Sequence, residues 1–229
     1  MSISQPKLQN PCKKFIEFKG DAGVFQYWDK NAPNPESKKP GANIEMPLPI
    51  GFIVLDELST IKGFNESSRS GVYANEVHSV KNQTLHVRTF KGGTSISGKY
   101  AEIKDKVKAI GGKYCKSIYA ALILKDKSLE LVNFQLTGAA FKAWIDKTTD
   151  ANSEVMVVSK TIEAKKGKVV YQIPVWGAAG MTDELRAEAI EMDKKVQEYL
   201  KARKVEEVDE VVQDHPEDDG SHVDPEQEF

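Results

Sequence analysis

From Phe15 to Trp176 the sequence is a succession of short apolar or alternating runs, each closed by a Gly-, Asn- or Lys-containing turn, and only two segments in that span carry helical spacing. Such punctuation restricts the chain to a mainly β fold with a few helices, because period-two runs of this length can bury a face only by pairing with one another. Residues 15–19 and 24–28 flank Gly20-Asp21-Ala22-Gly23 and read as a hairpin. Alternation along its second strand sends Phe25 and Tyr27 to one face and Trp28 to the other. Residues 31–49 hold five prolines, which can neither pair in a sheet nor continue a helix, and read as a loop. Residues 50–58, continuing through Phe64, then 72–80 and 84–91, read as three successive strands. In the third, Leu85, Val87 and Thr89 face one way as core, and His86, Arg88 and Phe90 face the other, just ahead of Lys91 and Gly92-Gly93.

Tyr100, Ile103, Val107 and Ile110 then recur at three- and four-residue spacing and stop at Gly111-Gly112, the pattern of an amphipathic helix with a glycine terminator. Residues 113–124 and 128–136 form a second hairpin. Thr137 caps a short helix bearing Phe141, Trp144 and Ile145, and residues 153–164 and 168–176 form a third hairpin. A last helix runs from Thr182 to about Arg203 with the stripe Leu185, Ala189, Met192, Val196 and Tyr199, which must pack either on the body or on a second copy in a homodimer. Tyr100 and Trp144 lie on apolar stripes and are expected in the core. Strand, strand, strand, helix, strand, strand is the element order of the five-stranded Greek-key barrel called the OB-fold. The expected organisation is one OB-fold-like domain over residues 1–204, extended by the first hairpin and by a hairpin-helix addition.

Residues 205–229 differ in kind: eleven acidic side chains, no Lys or Arg, and Phe229 in last place. The whole chain has 32 Lys and Arg against 34 Asp and Glu, so residues 1–204 carry the 32 basic groups against 23 acidic ones. A formal charge of −2 thus hides a basic body joined to its own polyanion. A block of like charge at a terminus is expected to be disordered, and a basic body implies a polyanionic partner. Composition allows the tail to serve solubility or interaction; the terminal ring favours interaction. Cys12 and Cys115 lie far apart and fit no metal-ligand spacing, and the Met-Ser-Ile-Ser start has no basic segment followed by an apolar run, so a reducing, cytoplasmic setting is expected. No apolar run is long enough to cross a membrane as a helix.

The sequence has no Walker loop, no Gly-x-Ser-x-Gly and no His-Glu-x-x-His, and its four histidines are scattered, so neither catalytic residues, a metal nor another cofactor is expected. Asp56-Glu57 is the one pair that a metal-dependent nuclease or nuclease subunit could use, but neighbours on a strand point to opposite faces, and solvent-facing strand-end charges are the simpler reading. Binding chemistry is better represented. Single-stranded nucleic acid is held by cations that follow the phosphates and by flat rings on which bases stack. The interleaved candidates are Tyr27, Trp28, Lys62, Phe64, Tyr73, Arg88, Phe90 and Lys91, with Lys113, Lys116 and Tyr119 as a further row. Large rings dominate cores, so the expectation attaches to the sheet face rather than to each ring. A scaffold whose basic body meets an acidic protein is the remaining alternative.

The basic β body, the acids Asp214, Glu217, Asp218 and Asp219, and the ending Asp224-Pro225-Glu226-Gln227-Glu228-Phe229 together resemble phage-encoded single-stranded-DNA-binding proteins, an OB-fold body followed by an acidic tail with a terminal aromatic. The chain departs from the bacterial single-strand-binding type, lacking its Pro-Phe ending and Gly/Gln-rich linker. The resemblance implies a host-cytoplasmic protein that coats single-stranded DNA in replication, repair and recombination. Its tail would compete with DNA for the basic groove and, once displaced, dock on a polymerase or helicase. Asp218, Asp219, Asp224, Glu226, Glu228 and Phe229 would carry that contact.

Overall fold

A computed structural model of the protein describes residues 9–34, 39–147 and 154–213, with side chains through Arg203. In chain order the elements are β1 (Lys14–Lys19), β2 (Val24–Asp29), β3 (Ala42–Met46), β4 (Ile50–Asn65), β5 (Ser70–Ala74), β6 (Leu85–Thr89), β7 (Ser95–Gly98), α1 (Tyr100–Ala109), β8 (Gly112–Ile123), β9 (Leu129–Leu136), α2 (Gly138–Ile145), β10 (Val155–Lys166), β11 (Val169–Ala179) and α3 (Asp183–Gln213). The fold is mainly β, as the run pattern requires. β3 lies inside the segment expected to be loop: its Asn43-Ile44-Glu45 alternation pairs with β2, and the prolines are left to the flanks.

The strands form one sheet in the order β3-β2-β1-β9-β8-β4-β5-β6-β7, with β10 also on β4 and β11 on β10. β8-β4-β5-β6 are antiparallel neighbours in Greek-key order: three meander strands, and a fourth that returns past α1 to lie beside the first. The closed barrel does not form. Closure of the five central strands would need β9 to bond with β6, but the free edge of β9 is taken in parallel by β1 and that of β6 by β7. The first hairpin and β7 therefore hold the sheet open and mixed.

β4, at 16 residues, is the spine, and it carries a register shift between Val54 and Asp56. A bulge of this kind exchanges the faces that later side chains occupy. On one face, Phe52, Ile118, Phe134, Ile16 and Phe25 pack with Trp144 of α2, and Ile61, Val72, Leu85 and Val87 pack with Ile103 and Val107 of α1. On the other face, α3 lies over β4, with Ala189 in the cluster of Ile53 and with Val196 and Leu200 in that of Leu58, Tyr119 and Cys12. The stripe of α3 thus packs on its own sheet. Thr182 caps it, its hydroxyl accepting the Leu185 N–H at 3.3 Å.

α3 continues to Gln213, beyond the Arg203 boundary expected for it. Val205, Val208 and Val212 keep three- and four-residue spacing among good helix-forming glutamates, so residues 205–213 are helix rather than disordered tail. Asp218, Asp219, Asp224, Glu226, Glu228 and Phe229 lie outside the described residues. Among the described residues, no helix is long and apolar enough to cross a membrane.

Candidate nucleic-acid interface

Strand register assembles the candidate site. Lys113 of β8 stands opposite Lys62 of β4, Lys62 opposite Tyr73 of β5, and Tyr73 opposite Arg88 of β6. Directly opposed residues share a face, so four strands contribute one row of three cations and a ring. One step along, Phe64 faces Gly71, and the Phe90 N–H donates to the Gly71 carbonyl at 2.9 Å, which continues the ladder to a second row of Phe64, Gly71 and Phe90. The rings are out in solvent: Phe90 is 75% exposed, Phe64 51% and Tyr73 48%. Intervening residues such as Ile61, Val72 and Val87 enter the core on the far side, which pins these rings outward. Lys91 follows Phe90 and is exposed; its backbone N–H donates to Ser70 Oγ at 3.1 Å, anchoring the turn.

The row ends against α1. Gly111, the helix stop, has φ +81°, and a Cβ there would collide with the Phe64 carbonyl, so the close approach of helix end and β4 depends on glycine at that position.

Trp28 belongs to the same sheet face. One register step from Ile16–Tyr27, Phe15 stands beside Trp28, and Phe15 and Glu17 pair with Asn133 and Gln135, which pair with Tyr119 and Ser117, then with Asp56 and Leu58 on β4. Trp28, 58% exposed, lines with Phe15, Lys13, Lys30 and Asn43 a groove of about 680 Å³. α3 and Cys12 cover the middle of the face, leaving this groove on one flank and the Lys62 row on the other. Glu17 links the flanks: its carboxylate is bound by Lys62 Nζ, which also donates to the Gln135 side-chain oxygen. Burial pushes the Glu17 carboxyl up, but the hydrogen bond and charge of Lys62, with Lys19, outweigh it and hold the group below its usual value.

Two candidates do not join this surface, and a third reaches only its edge. Tyr27 packs against the Ile16 and Phe25 cluster on the core side, with Lys14 Nζ 4.9 Å from its ring centre, and also lines the Trp28 groove. Lys116 lies on the opposite face and pairs with Glu57 at 3.0 Å, beside the Trp144 Nε1 that donates to the same carboxylate at 3.3 Å. Tyr119 is 1% exposed, its hydroxyl donating to Glu76 Oε2 at 2.8 Å, and burial pushes that phenol far up. A buried ring hydrogen-bonded to a carboxylate has no face to offer a base.

Asp56 and Glu57 do take opposite faces, but as partly buried paired groups rather than solvent-facing strand ends. Asp56 meets His78 at 3.1 Å and Gln197 at 3.0 Å, and Glu57 meets Lys116 and Trp144. Among the described residues, no group of three or more His, Cys, Asp or Glu is placed to hold a metal. Cys12 and Cys115 are buried, and desolvation pushes both thiols up to about 12, which removes them from nucleophilic chemistry near neutral pH.

Phe15, Glu17 and Gly71 were absent from the expected site. The four-residue turn after Lys19 sets the Phe15–Trp28 pairing, so that ring was within reach of the sequence. Glu17 and Gly71 needed the strand order. Comparison with protein-family models, with curated proteins and with solved structures found no match to this chain.

Proposed function

We propose that this protein binds single-stranded DNA without base-sequence preference and without catalysis, coating it during replication, repair or recombination of the phage type. The observation that carries the reading is the Lys113–Lys62–Tyr73–Arg88 row with exposed Phe64 and Phe90 beside it. Like charges set directly opposite on neighbouring strands destabilise a sheet. Glu17 offsets that cost at Lys62 and Lys113 in the free protein, a place that a phosphate chain would take, and exposed rings one strand step away suit unstacked bases rather than a duplex backbone. Trp28 and Phe15 extend the track on the other flank. The Greek-key order of β8-β4-β5-β6, with α1 leading into β8, supports an OB-fold-derived sheet whose closure has been given up to the β1–β2–β3 extension.

The acidic segment 205–229 competes with DNA for this surface and, when displaced, meets replication partners such as a polymerase or helicase. Support comes from the course of α3, which follows β4 from the Ile53 end to Leu58, with Arg203 on Glu76, and so leads toward the Lys62 row. A tethered polyanion acts at high effective concentration and suppresses weak binding more than tight binding.

The test is titration of the full chain with a single-stranded DNA oligomer, read by intrinsic Trp fluorescence, in which Trp28 is the exposed residue beside buried Trp144 and half-buried Trp176, with duplex as competitor and with a chain lacking 205–229 alongside. Quenching by the single strand that duplex reverses poorly, and tighter binding after truncation, are expected. Preferential duplex binding would remove the single-strand reading, and unchanged or weaker binding after truncation would remove the competition.

A further inference from the structure

We propose that Phe64, Gly71 and Phe90 form a slot that takes one nucleobase, edge toward the backbone, between the two rings; this rests on the single-strand reading above. A glycine inside a strand weakens it and often marks a place where a ligand or another backbone comes close. At Gly71 the usual reasons for glycine are missing. Its φ lies outside the left-handed region, and a Cβ built on it meets nothing within 4 Å, so neither conformation nor packing calls for the absent side chain. What the absence does is leave a gap between two rings that are 51% and 75% exposed and that make no ring contact with any other described aromatic.

The gap has the dimensions of a base. Phe64 and Phe90 sit two strands apart across Gly71, about 9.6 Å at the backbone. A flat ring held between two others needs about 7 Å between the outer planes, two contacts of about 3.5 Å each. Side chains leaning inward over a glycine floor would reach that separation, whereas any larger residue at position 71 would fill the open space that a Cβ finds there. The floor is fixed from below: the Phe90 N–H is bonded to the Gly71 carbonyl, and Ser70 Oγ ties the Lys91 backbone. The neighbouring row places Lys62 and Arg88 one step along the same strands, where the phosphates flanking an inserted base would run. The ligand class is therefore a single unstacked base within a phosphodiester strand, purine or pyrimidine, since both present a π face.

The test uses the full chain, Gly71→Val and Phe90→Ala, each titrated with a short thymidine oligomer and with an abasic phosphodiester strand of equal length. Valine suits a strand and finds open space at this position, and Phe90 is too exposed to hold the core, so both variants should melt within a few degrees of the native chain. The slot predicts that each variant loses about tenfold in affinity for the base-bearing strand, the scale of one lost stacking contact, with abasic binding unchanged. Native-like affinity of Gly71→Val for the base-bearing strand would overturn the slot while leaving the single-strand reading standing. Failure of the native chain to bind either strand would overturn both.

Discussion

At the scale of single residues, Glu17 decides how much of the basic row a ligand meets. Its carboxylate occupies Lys62 in the free protein, so on the proposed single-strand reading a phosphate that takes Lys62 has to displace it. Glu17→Gln should raise single-strand affinity several-fold, measured by titration at one fixed ionic strength; unchanged affinity would mean that Lys62 does not contact the strand. The same pair gives a pH signature. A carboxyl held below its usual value of 4.5 contributes stability above that value and loses it as the pH falls through the lower folded pKa. Acid melts should therefore show the native chain ahead of Glu17→Gln above about pH 4.5, with the gap closing below it. Residue placement was legible where alternation was clean, as in Leu85 to Phe90, whose inward and outward members fall as the pattern requires. It was not legible for Lys116 and Tyr119, because 117–122 is apolar or small throughout and buried on both faces, so period two gives no direction there.

At the scale of elements, β4 and α3 set the site's limits. The shift between Val54 and Asp56 lets one strand place Phe52 in the core beneath α2 and Lys62 on the opposite, open face. No sequence pattern marks that shift, since every residue from Ile53 to Leu55 is apolar. α3 closes the middle of the face, pinned near its described end by Glu76, whose carboxylate takes hydrogen bonds from Ser117, Tyr119 and Arg203. Glu76→Ala removes the acceptor of the buried Ser117 and Tyr119 hydroxyls and the anion that Arg203 meets, and should cost about 2–3 kcal/mol in urea unfolding. A loss below about 0.5 kcal/mol would show that α3 is held by its apolar stripe alone. The helix stripe, the glycine stop at Gly111 and all three hairpins could be read from spacing. β3 and β7 could not, being short strands that exist only because β2 and β6 offer them an edge.

At the scale of the whole molecule, the charge division was legible and the closure was not. The strand order that puts Lys113, Lys62, Tyr73 and Arg88 in register follows from a Greek key that element order anticipated, but the parallel pairing of β1 with β9, which keeps the sheet open and carries Trp28 onto the same face, is a contact between residues over a hundred positions apart. The measurement that bears most directly on the central claim is the salt dependence of single-strand binding by the full chain. Engagement of Lys62, Arg88 and Lys113 by phosphates predicts log affinity falling linearly with log salt with a slope of about −2, reduced by about 0.7 in Lys113→Ala. A slope near zero, or one that Lys113→Ala leaves untouched, would contradict the assignment of this sheet face to single-stranded DNA.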